Sequence, residues 1–275
     1  MTIEGFKAWL VARGRTPETA QGYAGDVTAA QLHPGGPLGR LRMKSLAPKT
    51  LRRVMASLRA WCKYTHDTVL LEQLSDIRLP PPNRKIPKMP LTKEQWKALV
   101  LEINAAAYIS HAERAVLGVM IVRGLRIGDL LRLERKQVLE AVRTGELVYK
   151  GKGSKLIQVG TKTFIHYLQL LAKEDDWNTV SDLISASGKP KSSAQQISRA
   201  LKSVGEKAGI SRKDLYPHRL RRSYAVMFLE AAGGDLEKLR AHLSWADLST
   251  AAMYSDHNKK DLLEKLSEDM LKGLK

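Results

Sequence analysis

The stretch HRLRRSYAVMFLEAAGGDLEKLRAHLSWADLSTAAMYSD, residues 218–256, decides how this chain is read. His218 and Arg221 stand one helical turn apart, so a helix through them offers both side chains on one face. Trp245 and Tyr254 follow, nine positions from each other. Upstream, RGLRIGDLLRLERKQV, residues 123–138, sets Arg126 just before the leucines of an amphipathic helix. Between the two, ELVYK and KLIQVG read as strands of a hairpin turning at GKGS, with Lys152 at a glycine-flanked tip from which its side chain projects freely. TKEQWKALVLEINAAAYI and the run from Ala112 to Val122 read as further helices. This part of the chain is therefore mainly α, an α+β class with one small antiparallel sheet.

Working toward the N-terminus, LPPPNRKIPKMP, residues 79–90, holds five prolines, which deny the backbone its helical hydrogen bonds and favour an extended path. It reads as a linker between a helical domain at 1–78 and a larger domain at 91–275. Ile3, Phe6, Trp9 and Leu10 fall on one helical face, and Thr16 is placed to cap a second helix with Pro17 in its first turn and Glu18 at the positive end of its dipole. HPGGPLG, residues 33–39, reads as a loop. From Pro48 to His66, Lys49, Arg52, Arg53, Arg59 and Lys63 fall within roughly a third of a helix circumference, at about 100° per residue. Leu51, Val54, Met55, Leu58 and Trp61 take the other side, so one face packs while the basic face is placed to lie along phosphates.

Charge points the same way. The 275 residues carry 46 Lys and Arg against 28 Asp and Glu, a formal +18, which calls for a polyanionic partner, nucleic acid or an anionic membrane surface. Residues 1–90 hold 15 basic and 6 acidic side chains and the rest 31 and 22, so each part carries +9 and the shorter one is about twice as charge-dense. Cys62 is the single cysteine, which excludes an intramolecular disulfide framework and an all-cysteine zinc site. The N-terminus lacks the apolar stretch and cleavage site of a secretion signal, and no segment is long enough to cross a bilayer. A reducing cytoplasm, at the nucleoid, is the expected compartment, with no membrane partner.

Taken together, the three segments resemble the tyrosine recombinases of the phage integrase type. That family presents an arginine in a GLR-x-x-E-L context, a hairpin lysine, an H-x-L-R pair, and a His or Trp nine residues before a tyrosine nucleophile. Here these are Arg126, Lys152, His218, Arg221, Trp245 and Tyr254, in order. Two positions depart from the commoner pattern: Trp245 stands where His is usual, and Asp129, a supporting carboxylate, where Glu is usual. His242 lies twelve residues before Tyr254 and does not fit the nine-residue spacing. The resemblance covers about residues 91–256, and the N-terminal region fits the helical, SAM-like core-binding domain that precedes the catalytic domain in the family. Since the chain starts directly with that region, no arm-binding domain is expected before it.

The residue types suit phosphoryl transfer. Two guanidinium forks, Arg126 and Arg221, supply the positive charge that the in-line transition state demands. No carboxylates are paired at ligand spacing, Asp175 and Asp176 being adjacent and divergent on a helix, so neither a metal nor another cofactor is expected. A phenol with a pKa near 10 is ionised in only about one molecule in a thousand at pH 7, a deficit of roughly 4 kcal/mol. Nearby arginines are expected to favour the phenolate, His218 to exchange its proton, and Lys152 to protonate the leaving 5′ oxygen.

The resemblance further implies a 3′-phosphotyrosyl intermediate, strand exchange through a four-way junction without ATP, and a homotetramer on paired double-stranded DNA sites. Leu262, Leu263, Leu266, Met270 and Leu274 lie near helical spacing and are expected either to dock on a neighbouring protomer or to pack in cis. A type IB topoisomerase, which shares the chemistry, and a non-catalytic DNA-binding protein of the same fold stay open as alternatives.

Overall fold

The computed structural model describes residues 1–43, 45–80, 90–151, 155–185, 192–245, 247–252 and 254. The chain divides into two compact units, Met1–Pro87 and Lys88–Lys275, and the division falls inside the proline-rich stretch.

The first unit is helical: α1 (Ile3–Ala12), α2 (Pro17–Gln31), α3 (Gly36–Leu41), α4 (Pro48–Thr65) and α5 (Thr68–Ser75). The Thr16 side chain accepts from the Thr19 amide and Pro17 occupies the first turn of α2, the cap that the sequence calls for. Phe6 and Leu10 of α1 are buried with Val27 of α2 and Val54 and Leu58 of α4. The Phe6 ring meets Trp61 edge-on at 5.2 Å and Tyr64 at 5.6 Å, which fixes α1 against α4. The expected loop at 33–39 is corrected: α3 begins at Gly36, because Pro37 is tolerated in a first turn where its missing N–H has no partner to lose.

In the second unit, α6 (Lys93–Ala105), α7 (His111–Arg123), α8 (Ile127–Leu131) and α9 (Arg135–Thr144) lead into strands β1 (Glu146–Lys150) and β2 (Leu156–Gly160). There follow α10 (Ile165–Ala172), α11 (Val180–Ser185), α12 (Ser193–Lys207), α13 (Pro217–Ala231), α14 (Leu236–His242) and α15 (Leu248–Ala252). Capping boxes from Thr92 with Gln95 and from Ser110 with Glu113 start α6 and α7. Helix α7 is buried over nearly its whole surface and forms the centre of the main core. Gly118 makes that possible, since a Cβ there would lie 2.3 Å from the Tyr167 ring of α10.

The strands pair antiparallel with Leu147 opposite Val159 and Tyr149 opposite Ile157, and these four side chains alternate into the core. The Gly151 amide donates to the Lys155 carbonyl at 2.8 Å and closes the hairpin, whose tip, including Lys152, lies outside the described residues. So does the segment from Leu262 to Leu274. The leucine run after Arg126 forms two helices rather than one: Glu134 bridges to Thr179, and the Val180 amide donates to the Leu133 carbonyl. Asp175 and Asp176 sit in the connection between α10 and α11, not on a helix. Among the described residues, no helix is long and apolar enough to cross a membrane.

Candidate active site

Arg126 is placed by the residue that ends α7. Gly124 caps that helix at φ 65°, a left-handed conformation that favours glycine, and a Cβ there would also fall 2.5 Å from the Tyr224 ring. The turn delivers Arg126 as the first residue before α8, one-third exposed, with its guanidinium 3.7 Å from the buried Asp129 carboxylate. Arg132 takes the shorter contact to Asp129, 2.7 Å. The carboxylate therefore orients Arg126 without a close ion pair.

His218 and Arg221 come from α13, whose first turn starts at Pro217. His218 is exposed, whereas Arg221 is only 3% exposed and still finds partners. Its Nη1 donates to the Gly124 carbonyl at 2.7 Å and its Nη2 to the Leu243 carbonyl at 3.1 Å. Burial first, and Arg126 second, pull its pKa down to about 10, far enough above neutrality for the charge to persist. Arg126, Asp129, Arg132, His218 and Arg221 line one open cleft of about 330 Å³.

The chain then turns through α14 and Ser244 (φ 52°) to Trp245, and through α15 to Tyr254. The Trp245 and Tyr254 rings stack at 5.2 Å and 18°. Both pack with Val226, Leu229 and Leu243 in a small apolar cluster of their own. The Arg221 guanidinium stands 5.5 Å from the Trp245 ring and that of Arg222 5.8 Å from the Tyr254 ring. Burial pushes the Tyr254 phenol above its ordinary range, while Arg221, Arg222 and Arg126 pull it down. The arginines favour the phenolate in the expected direction, and burial, which the sequence does not show, opposes them: loss of water penalises the anion more than the three cations compensate.

A profile of the phage integrase family matches residues 90–261. The chain belongs to the phage integrase family, the tyrosine recombinases. It is 26% identical to tyrosine recombinase XerC of Alcanivorax borkumensis, over 92% of this chain and 88% of that one. To tyrosine recombinase XerD of Staphylococcus saprophyticus it is 28% identical, over 84% and 79%. In structure it is similar to lambda integrase, crystallised as a dimer on a COC′ core site, with a TM-score of 0.63, 15% identity and 92% and 93% of the two chains covered. The Tn1549 transposon integrase, in complex with a circular intermediate DNA, matches with a TM-score of 0.61 at 16% identity, over 96% and 99%. The chain shares the overall fold of these recombinases.

For this integrase-family chain, three positions near the cleft carry no motif signal. Tyr149, inward-facing on a five-residue strand, is pushed up to about 12 by burial and then by Asp129, against the pull of Arg221, Arg123 and Arg126. Arg132 holds Asp129, and Arg222 faces Tyr254. In the first unit, Lys49, Arg59 and Lys63 are exposed. Arg59 and Lys63 line an open groove of about 480 Å³ with Trp9, Arg13, Arg15 and Tyr23. Two members of the basic stripe also have partners inside the unit. Arg53 forks onto the buried Asp26 at 2.8 and 2.9 Å, and Arg52 donates to the Pro80 carbonyl at 2.7 Å, so both guanidinium groups are engaged within the unit. Among the described residues, no cluster of three or more His, Cys, Asp or Glu is arranged to hold a metal ion.

Proposed function

We propose that this chain is a site-specific DNA recombinase that cleaves and rejoins strands through a covalent bond at Tyr254. The observation that carries the reading is the convergence of Arg126, His218 and Arg221 on one cleft, with Tyr254 held within electrostatic reach of Arg221, Arg222 and Arg126. A phosphodiester seated there receives two guanidinium forks on its non-bridging oxygens, which stabilise the charge that grows in line. The Tyr254 oxygen attacks phosphorus, its proton passes to His218, and the bond from phosphorus to the 5′ oxygen breaks. Lys152 protonates that oxygen as it leaves. The reaction run backward with a 5′ hydroxyl from a second strand restores the phosphodiester, so bond energy stays in the adduct and neither metal nor ATP is required. Trp245 buttresses the nucleophile, and Asp129 steers Arg126.

In this reading residues 1–78 form the core-binding domain, with the basic face of Lys49, Arg52, Arg53, Arg59 and Lys63 toward phosphates, and residues 91–275 the catalytic domain. The enzyme acts on double-stranded DNA in the cytoplasm, at the nucleoid, as a homotetramer on paired sites, through a four-way junction, with the Leu262 to Leu274 segment docking between protomers.

The test is a pool of duplexes with randomised centres, each nicked to trap cleavage. Wild-type chain recovers denaturation-resistant adducts of related sequence, and Tyr254→Phe binds the same duplexes without forming an adduct. An adduct in that variant, or none with the wild type, overturns the proposal. Relaxation of arbitrary plasmid with no preferred site assigns the chain to the topoisomerase chemistry instead.

A further inference from the structure

The two carbonyls that hold Arg221 belong to Gly124 and Leu243, residues far apart in the chain. Each is the immediate successor of one member of a buried polar contact. Arg123, the last residue of α7, is 9% exposed, and its Nη1 meets Nε2 of His242. The Tyr224 hydroxyl reaches the same nitrogen at 2.7 Å. Arg123 engages both of these neutral side chains. The His242 ring lies on Phe228 at 4.0 Å and nearly parallel to Tyr224. Arginine has only donors, so Nε2 accepts and the imidazole is neutral with its proton on Nδ1. Burial and the charge of Arg123 act in the same direction, pushing His242 down to about 4. Tyr224 completes the link, since its ring abuts the face of Gly124 where a Cβ would stand.

We infer that Arg123, His242 and Tyr224 form a positioning clamp that fixes the separation of the Gly124 and Leu243 carbonyls, and through them the aim of Arg221 at the phosphate. The clamp acts through Arg221 and not on the phosphate itself. It holds the two backbone segments on which the buried guanidinium rests, and it does so with neutral acceptors that leave the site's positive charge intact.

The inference rests on the recombinase reading, so its test has one arm with DNA and one without. His242→Leu keeps the packing on Phe228 and removes the acceptor, whereas His242→Gln restores an acceptor oxygen. On a duplex recovered from the adduct selection, His242→Leu is expected to form adduct more slowly by on the order of tenfold to a hundredfold at unchanged DNA affinity, with most of the rate regained by His242→Gln. Replacing one non-bridging oxygen of the cleaved phosphate by methyl removes the charge that Arg221 faces, and the gap between His242→Leu and wild type should narrow. In DNA-free protein, the guanidinium protons of Arg221, followed by nitrogen-edited NMR, should exchange faster in His242→Leu and return toward wild type in His242→Gln. Wild-type adduct rates in His242→Leu, no recovery with Gln, or a rate gap untouched by the methyl substitution overturns the clamp. Unchanged Arg221 exchange overturns it as well, whether or not the wild type cuts DNA. A wild type that forms no adduct overturns the recombinase reading, while altered Arg221 exchange in His242→Leu still supports the clamp.

Discussion

Two arginines, one in each unit, are held in opposite ways. Arg53 of the first unit forks onto Asp26, a buried carboxylate that also accepts from Ser57 at 3.0 Å. Arg221 of the second unit is deeply buried, yet its donors go to two backbone carbonyls. A carboxylate fixes an arginine and cancels its charge. Carbonyl oxygens fix it and leave the charge to act on something else. The first arrangement ties helices together; the second suits a group that must meet a phosphate. Asp129 lies between the extremes, in close contact with Arg132 and a looser one with Arg126.

The largest effect should come from breaking the second arrangement. Arg221→Lys cannot reach both carbonyls and a phosphate with one ammonium, and adduct formation is expected to fall on the order of a hundredfold to a thousandfold with DNA binding retained. Single-turnover cleavage beside a gel-shift titration measures both. Next, Arg53→Ala leaves Asp26 buried without its fork and should destabilise the first unit by about 1–3 kcal/mol in denaturant titration, while the double variant with Asp26→Ala recovers part of the loss. A loss no smaller in the double variant would break the contrast, because the fork would then be incidental.

A smaller effect separates single cations from one that is paired with a carboxylate. Arg59→Ala or Lys63→Ala should each lower the slope of log affinity against log salt by about 0.9, whereas removing Arg53 and Asp26 together, which leaves the net charge of that face unaltered, should not change it. Smallest is a pH effect at the clamp. His242 is pushed down to about 4 in the folded protein against an unfolded value near 6.5. The folded state therefore holds fewer protons, so the stabilisation is full above pH ~6.5 and is lost as pH falls toward 4. Thermal melts of wild type and His242→Gln should diverge only in that window, with the wild type losing more on acidification.

Legibility followed the range of the interaction. The Thr16 cap, the hairpin strands and the apolar face of α1 were readable because each depends on neighbours a few positions away. Helix α3 was missed because the two glycines and Pro37 together signal a turn, and the same proline is also at home in a helix start. The leucine run after Arg126 hid its break because the strand-like bridge of Glu134 lies to Thr179, outside any local window.

The sequence alone determined the order and chemical type of the cleft residues and the family to which the chain belongs, since a motif is a property of spacing along the chain. Tertiary structure decided how each charged group is used. Arg221 rests on a carbonyl 97 positions away, Arg123 on an imidazole 119 positions away, and Arg53 on a carboxylate 27 positions away. The protonation of Tyr254 was decided there too, because burial and nearby cations act on it in opposite directions and only packing sets which dominates.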